Sequence, residues 1–544
     1  MLVVCIVVNL SIAGTPPFHI DEQQYHLTIP KLFLQAGRLA SLDLALSVSN
    51  YPLGMEMLYT WCMLLSGPIL AKLLNFYCGI LVLGVVLALA RELKLRWPLL
   101  ALLLFYSDWT VHFSSIQANV DLLVTLYDGV AVVLLARAWR IERETGRDAL
   151  ATWLLSALFV GAGLSVKYTN GWGVVGWVAA YGYVRGRALL HRPAAEMRQL
   201  LLAGLLVALP FAPYAVKNWV FAGNPVAPFL KSVFQKDAPK SDPYMAERTE
   251  LMASGQYPAR TLLDHLLLPY HATVYGEWGN QSFDSTISPF YLLLLPFLIF
   301  LRGLPKAGRT ALIFSLLYLA AWWVTFPLTR YLIVVFPLWA VLGVWVWERM
   351  VDKSACFEFG VVARRIGNSV FVLALGAMTF YHLLQFITIN PSRYLLEMET
   401  KEEFLLRRSI GGYHYLVVAA NHYVPDDGKI LLLWEKRNFY LNAATKQDVW
   451  GSYLAKLFYD NNGDASAVAN ELKSQGFTHI LCDYFLPKRW FGKPLEGMED
   501  NADPEHQRKV YALMANELRQ FDELKKTHLE EIVTYGTYGL YTIK

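Results

Sequence analysis

A chain of 544 residues that is 55% hydrophobic and only 17% charged is not composed like a soluble enzyme, where about a quarter of residues carry charge. Its formal net charge of +4 is too small to argue for a nucleic-acid partner. The cysteines Cys5, Cys62, Cys78, Cys356 and Cys482 form no Cys-x-x-Cys pair, so neither a disulfide framework nor a zinc site is indicated.

The first apolar stretch, Leu2–Ala13, is short for a span and lacks the basic start of a signal peptide. It reads as the outer part of a first helix with a misplaced start or a truncated end. Longer apolar stretches follow at 69–90, 120–138, 200–220, 292–301, 310–326, 332–347 and 370–389, with weaker ones at 153–166 and 171–184. The pattern predicts a polytopic α-helical membrane protein with about eleven transmembrane helices, each needing roughly 20 apolar residues. Basic clusters fall in alternate short loops: Arg91, Lys94 and Arg96; Arg137, Arg140, Arg143 and Arg147; Arg185, Arg187, Arg192 and Arg198; Arg302, Lys306 and Arg309; Arg349, Lys353, Arg364 and Arg365. The positive-inside rule puts these loops, and the N-terminus, in the cytoplasm. Segments 15–52, 107–117, 167–170, 223–288 and the tail from 391 then face outward, as in a protein of a bacterial plasma (inner) membrane.

The predicted division is a transmembrane catalytic module, 1–390, with long outer loops 15–52 and 223–288, followed by a small extracytoplasmic α/β domain, 391–544. Helical spacing within 25–34 places an interfacial helix in the first loop. The second loop, with Asp237, Asp242, Glu247, Glu250, Asp264, Glu277 and Asp284, has the aromatic content of a folded lid. In the tail, 429–434 reads as a strand, 465–475 as a helix and 478–483 as a strand. Leu529–Tyr535 and 540–543 read as a hairpin around Gly536 and Gly539. No phosphate-binding glycine loop appears there, so the tail is assigned a structural or acceptor-docking role.

Adjacent carboxylates beside a bilayer are costly unless solvated, paired or used. Asp21 and Glu22 are such a pair, immediately after a membrane exit and flanked by His19, Tyr25 and His26. Solvated residues at a helix start are the plainer reading. The same four-residue neighbourhood is where a divalent metal would bind, through Asp21 and Glu22, though His-x-Asp-Glu-x-x-x-His is not a metal fingerprint. Asp108 and Asp121 lie at outward helix ends, where capping alone explains them. Asp128, deeper in an apolar run, is a candidate because of its depth. Lys167, Lys217 and Arg330, the last followed by Tyr331, are outward cations that run against the positive-inside bias. Snorkelling accounts for a lysine there, and so does an anionic lipid headgroup. Carboxylates and cations gathered at one membrane face suit group transfer from a lipid phosphate, with a carboxylate as general base and cations stabilising the departing phosphate.

On Asp21-Glu22, Ala118-x-x-Asp121-Leu122, Gly163-Leu164-x-x-x-Lys167-Tyr168, Lys217-Asn218-Trp219 with Gly223-Asn224-Pro225, and Arg330-Tyr331, the chain resembles the GT-C glycosyltransferases that use polyprenyl-phosphate sugars. It is most similar there to the glycosyltransferase family 39-like branch of protein O-mannosyltransferases and the lipid A aminoarabinose transferase. The resemblance covers roughly residues 1–390 and implies a GT-C-like fold. It also implies an inverting transfer to an acceptor hydroxyl on a lipid, glycan or protein. Asp21 would be the general base or substrate-orienting acid, Asp121 a second acid, and Lys167 and Arg330 the donor-phosphate contacts. A transporter or flippase for lipid-linked sugars, or a non-catalytic assembly protein, is the alternative. Transporters tend to show repeats and spans broken near mid-depth, which are not evident here.

Overall fold

The structure, a computed structural model, describes residues 1–234, 245–246, 248, 261–276, 283–325, 328–354, 360–409, 412–484 and 504–544. Asp237, Asp242, Glu247, Glu250, Glu277 and Cys356 lie outside the described residues. Among the described residues, six helices are long and apolar enough to cross a bilayer: Pro68–Glu92, Asp121–Thr145, Pro193–Ala222, Lys306–Val324, Thr329–Asp352 and Arg365–Ile389. The chain is an integral membrane protein. Leu2–Ala13, Leu150–Val166 and Pro289–Ile299 are apolar but shorter, so the expected count of about eleven spans is not confirmed. The 292–301 stretch fails as a regular span because its helix, Pro289–Leu294, tightens into a 3-10 turn at Leu295–Ile299, where Pro296 has no N–H to continue the ladder.

Helix ends follow local chemistry. Pro68, Pro98 and Pro193 open their helices, where a missing N–H costs nothing. Gly146, in the left-handed conformation, closes Asp121–Thr145. Thr329–Asp352 is the centre of the bundle, with 89% of its apolar window buried. Pro193–Ala222 buries only 6% and turns Leu201, Leu205, Leu209, Val216 and Val220 outward, as a lipid-facing helix must.

The C-terminal part forms a five-stranded sheet in the order β2-β1-β3-β5-β4. The strands are β1 (Lys429–Leu433), β2 (Ala444–Asp448), β3 (His479–Asp483), β4 (Leu529–Tyr535) and β5 (Tyr538–Ile543). β1 runs parallel to β2 and β3, while β5 is antiparallel to β3 and β4. Alternate residues of β1 enter different cores. Ile430 and Leu432 meet the helix Tyr413–Tyr423, whereas Leu431 and Leu433 meet Leu454, Val468 and Phe521 on the other face. Helices on both faces suit the near-continuous apolar run of β1. The strands expected at 429–434 and 478–483 and the hairpin are present. β2 and the helix Pro504–His528 were not anticipated.

The connection after β1 seats this sheet on segment 15–52. Asn438 N and Phe439 N both donate to Gln23 O, at 3.1 Å each. Thr28 Oγ1 donates to Asn438 Oδ1 at 3.0 Å, Lys31 Nζ to Phe439 O at 2.8 Å and Leu441 O at 2.6 Å, and Tyr440 Oη to Pro17 O at 2.9 Å. These bonds occupy main-chain groups of a loop that would otherwise be buried without partners.

Candidate active site

The first loop contains a helix where one is expected: Thr28–Ala36 follows a π-helical turn at Glu22–His26. That turn gives the adjacent carboxylates different partners. Glu22 is fully buried, and both of its oxygens face main-chain amides. Its Oε2 accepts from Phe18 N and His19 N at 3.0 Å each, and its Oε1 accepts from Ala118 N at 2.6 Å. Burial pushes its carboxyl up, against the nearby Lys72 charge and these amides. Glu22 therefore pins the entry of helix Asp121–Thr145 to the first loop. Glu22→Gln keeps the shape but turns an NH₂ toward an amide N–H. It is expected to lower stability by about 1–3 kcal/mol, read as a fall in thermal midpoint in detergent or nanodiscs.

Asp21 turns to a different partner, the Arg330 guanidinium at the start of the 3-10 turn Thr329–Val335. Asp21 Oδ2 lies 2.6 Å from Arg330 Nη1. Arg330 Nε lies 2.9 Å from Asp284 Oδ2, and Arg330 N donates to Asp284 Oδ1 at 3.2 Å. One arginine thus holds two carboxylates. Burial would push the Asp21 carboxyl up, but Arg330 and then Lys436 outweigh it and hold it well below the usual carboxylate range. Burial wins at Asp284, whose carboxyl is raised despite Arg330. The three side chains keep between 22% and 25% of their surface accessible, so the cluster is only partly enclosed.

A second ion pair stands across one aromatic ring. Lys167 Nζ donates to Asp121 Oδ1 at 2.7 Å and sits 3.8 Å from the Tyr331 ring centroid. The Arg330 guanidinium carbon is 5.5 Å from the same centroid. Tyr331 is thus flanked by two cations, each with a carboxylate behind it. Tyr25 is half-buried within electrostatic reach of Asp21, Arg330 and Asp121. Asp21, Asp121, Lys167, Arg330, Tyr25 and Tyr331, hundreds of positions apart in the chain, therefore meet at one end of the bundle.

Other expected residues serve as struts. Asp108 caps its helix by accepting from Thr110 N at 2.8 Å and ties down the 283–288 segment by accepting from Ser288 N at 3.0 Å. Asp128 accepts from Asn170 Nδ2 at 3.1 Å, which fixes the turn that presents Lys167. Gly163 and Gly173 make room for that pair, since a Cβ on Gly173 would fall 2.1 Å from Asp128 Oδ2 and one on Gly163 2.2 Å from Asn170 Nδ2. Lys217, expected at the donor phosphate, instead binds the carbonyls of Ser49 and Tyr51, while Asn218 Nδ2 donates to Asn50 O at 2.7 Å. Together they clamp the end of the first loop. His26 Nδ1 lies 2.7 Å from Glu56 Oε1. His19 packs on Phe18 and Phe113, and burial, with Lys72 and Arg408 nearby, takes its pKa down to about 3.

Among the described residues, no group of three or more His, Cys, Asp or Glu side chains is placed to hold a metal ion. The expected Asp21–Glu22 metal pair is not assembled, because Glu22 turns both oxygens to main-chain amides and Asp21 turns to Arg330. Asp284, one acid among several in its loop by sequence, joins the cluster through Arg330, whereas Glu56 pairs with His26.

An apolar cavity of about 480 Å³ is lined by Ile287, Tyr291, Leu312, Leu319, Trp322 and Leu332, among others. Ile287 is three residues from Asp284, and Leu332 is two from Arg330, so the segments that carry the charges also wall the cavity.

No family model matches the sequence, and no curated protein matches it. Among solved structures, the fold is similar to the crystal structure of ArnT from Cupriavidus metallidurans bound to undecaprenyl phosphate. The TM-score is 0.55 at 13% identity, covering 99% of this chain and 96% of that one. The apo form of the same protein matches with a TM-score of 0.54 over the same shares of the two chains. The chain has the GT-C fold. Within this GT-C fold, the Asp21–Arg330–Asp284 cluster and the Lys167–Asp121 pair are built from five separate parts of the chain: the first loop, the starts of two long helices, the turn between 166 and 171, and the 283–288 segment.

Proposed function

We propose that the protein is an inverting glycosyltransferase that moves a sugar from a polyprenyl-phosphate donor to an acceptor hydroxyl, on the non-cytoplasmic side of the membrane. The observation that carries this reading is the double ion-pair cluster around Tyr331, whose Asp284 and Arg330 segments also wall an apolar cavity. A lipid phosphate needs cations at the membrane surface and an apolar place for its chain, and both are present here.

The chemistry follows from competition for Arg330. The donor phosphate binds Arg330 and Lys167 and displaces Asp21 from the guanidinium. Freed of that pair, the Asp21 carboxyl becomes more basic and accepts the proton of the acceptor hydroxyl. The hydroxyl oxygen bonds to the anomeric carbon as the bond from that carbon to the phosphate oxygen breaks. The bonding electrons leave with the lipid phosphate, whose growing negative charge Arg330 and Lys167 stabilise. Asp121 holds Lys167 in place. The products are the glycosylated acceptor with inverted configuration and the free polyprenyl phosphate. The acceptor is a lipid, glycan or protein that carries a hydroxyl. ArnT, bound to undecaprenyl phosphate in its crystal structure, supports the reading as a fold analogue.

The test is purified full-length protein in nanodiscs with a polyprenyl-phosphate sugar and an acceptor mixture. Release of polyprenyl phosphate in step with a glycosylated product is the expected outcome. In sealed vesicles, movement of the lipid-linked sugar across the bilayer with no glycosylated product would replace this reading with a flippase.

A further inference from the structure

The C-terminal sheet packs against the turn that carries Asp21. The connection after β1 carries Glu435, Lys436 and Arg437, and its two outer members satisfy each other. Arg437 Nη2 lies 2.7 Å from Glu435 Oε2 and also donates to Tyr538 Oη at 2.7 Å, with its guanidinium 3.9 Å from the Tyr413 ring centroid. Both are buried within the sheet unit. Lys436 between them is half-buried, and among the described residues its ammonium has no hydrogen bond or ion pair.

The main chain fixes where Lys436 stands. Gln447 Nε2 bridges Lys436 O at 2.6 Å and Gln24 O at 3.3 Å. Two residues on, Asn438 N donates to Gln23 O at 3.1 Å. Lys436 is thus held against the turn that begins at Asp21, close enough for its charge to help keep the Asp21 carboxyl low.

Charge counting gives this placement a consequence. Asp21, Asp121 and Asp284 set three formal negative charges against Arg330 and Lys167. Both cations are already matched to carboxylates, so an arriving phosphate would meet a site with one negative charge in excess. Lys436 removes that excess and is the cation not engaged by a carboxylate. We propose that Lys436, from the connection after β1 of the C-terminal sheet, is a substrate-contacting residue that binds the phosphate of the lipid donor together with Arg330 and Lys167. The C-terminal unit is then a wall of the donor site as well as a structural cap. This rests on the donor reading above.

The experiment compares undecaprenyl phosphate with uncharged undecaprenol, each titrated onto full-length protein in nanodiscs. Wild type, Lys436→Met, Lys436→Arg and Lys446→Met are compared, Lys446 being a lysine of the same unit paired with exposed Asp43. Lys436→Met is expected to weaken undecaprenyl phosphate about tenfold, the scale of one charge-assisted contact, and to leave undecaprenol unchanged. Lys436→Arg restores phosphate binding, Lys446→Met binds as wild type, and all three variants keep the wild-type thermal midpoint. Wild-type phosphate affinity in Lys436→Met would overturn the role of Lys436 while the donor reading stands. Equal weakening of the phosphate and the alcohol would also overturn it, because that marks a structural change. Wild-type protein that does not prefer the phosphate over the alcohol would overturn both.

Discussion

Replacing Asp21 by Asn is expected to cut transfer from a polyprenyl-phosphate sugar by about a hundred- to ten-thousand-fold, the range of a positioned general base. The same change should barely alter stability. Asp21 keeps 22% of its side chain accessible, and Arg330 retains Asp284 when Asp21 is neutralised. The asparagine competes less for Arg330 than the carboxylate does, so donor affinity should hold or rise while turnover falls. Measuring kcat and the donor Kd separately checks this. Turnover that survives the change would remove Asp21 from the mechanism.

The second large effect belongs to Arg330. Arg330→Met leaves Asp21 and Asp284 without their shared cation, and two carboxylates then face each other in a partly enclosed site. Removing one partner of a fully buried pair costs about 3–5 kcal/mol. With 23% of Arg330 accessible, a smaller loss of about 1–3 kcal/mol is expected in thermal or denaturant unfolding. Turnover should fall about a hundred- to a thousandfold, because a donor aimed at the departing phosphate is gone. The pH dependence has a definite sign. Arg330 holds the Asp21 carboxyl low in the free protein, so wild-type Asp21 stays ionised well into acid. Without Arg330 that carboxyl titrates at higher pH. Residual kcat/KM of Arg330→Met should therefore fall away at a higher pH on the acid side than wild-type kcat/KM does. An unshifted acid limb would show that Arg330 does not set the ionisation of Asp21.

Much of this was legible in the chain because the signals are local. An apolar run long enough for a bilayer, a cation at an outward helix end and two acids beside a membrane exit are each visible without knowing their neighbours. Asp21, Asp121, Lys167 and Arg330 were found on those grounds, and the structure brings them together. What was missed depends on contacts that sequence does not encode locally. Asp284 sits in a loop with several other acids, and only its distance to Arg330 sets it apart. Lys217 carries the same signal as Lys167, but its partners are carbonyls of residues about 170 positions away, which no spacing rule reveals. By sequence Glu22 is a site candidate equal to Asp21, and only the fold shows its oxygens on the main-chain amides of Phe18, His19 and Ala118. β2, Ala-Thr-Lys-Gln-Asp, is an edge strand with little apolar alternation, so period-two reading passed over it.

The most direct measurement is a structure of the full-length protein with a polyprenyl phosphate bound. The account predicts phosphate density between Arg330 and Lys167, the Asp21–Arg330 pair opened and the lipid chain running into the cavity lined by Ile287 and Leu332. A bound phosphate remote from Tyr331, with Asp21 still closed on Arg330, would contradict it.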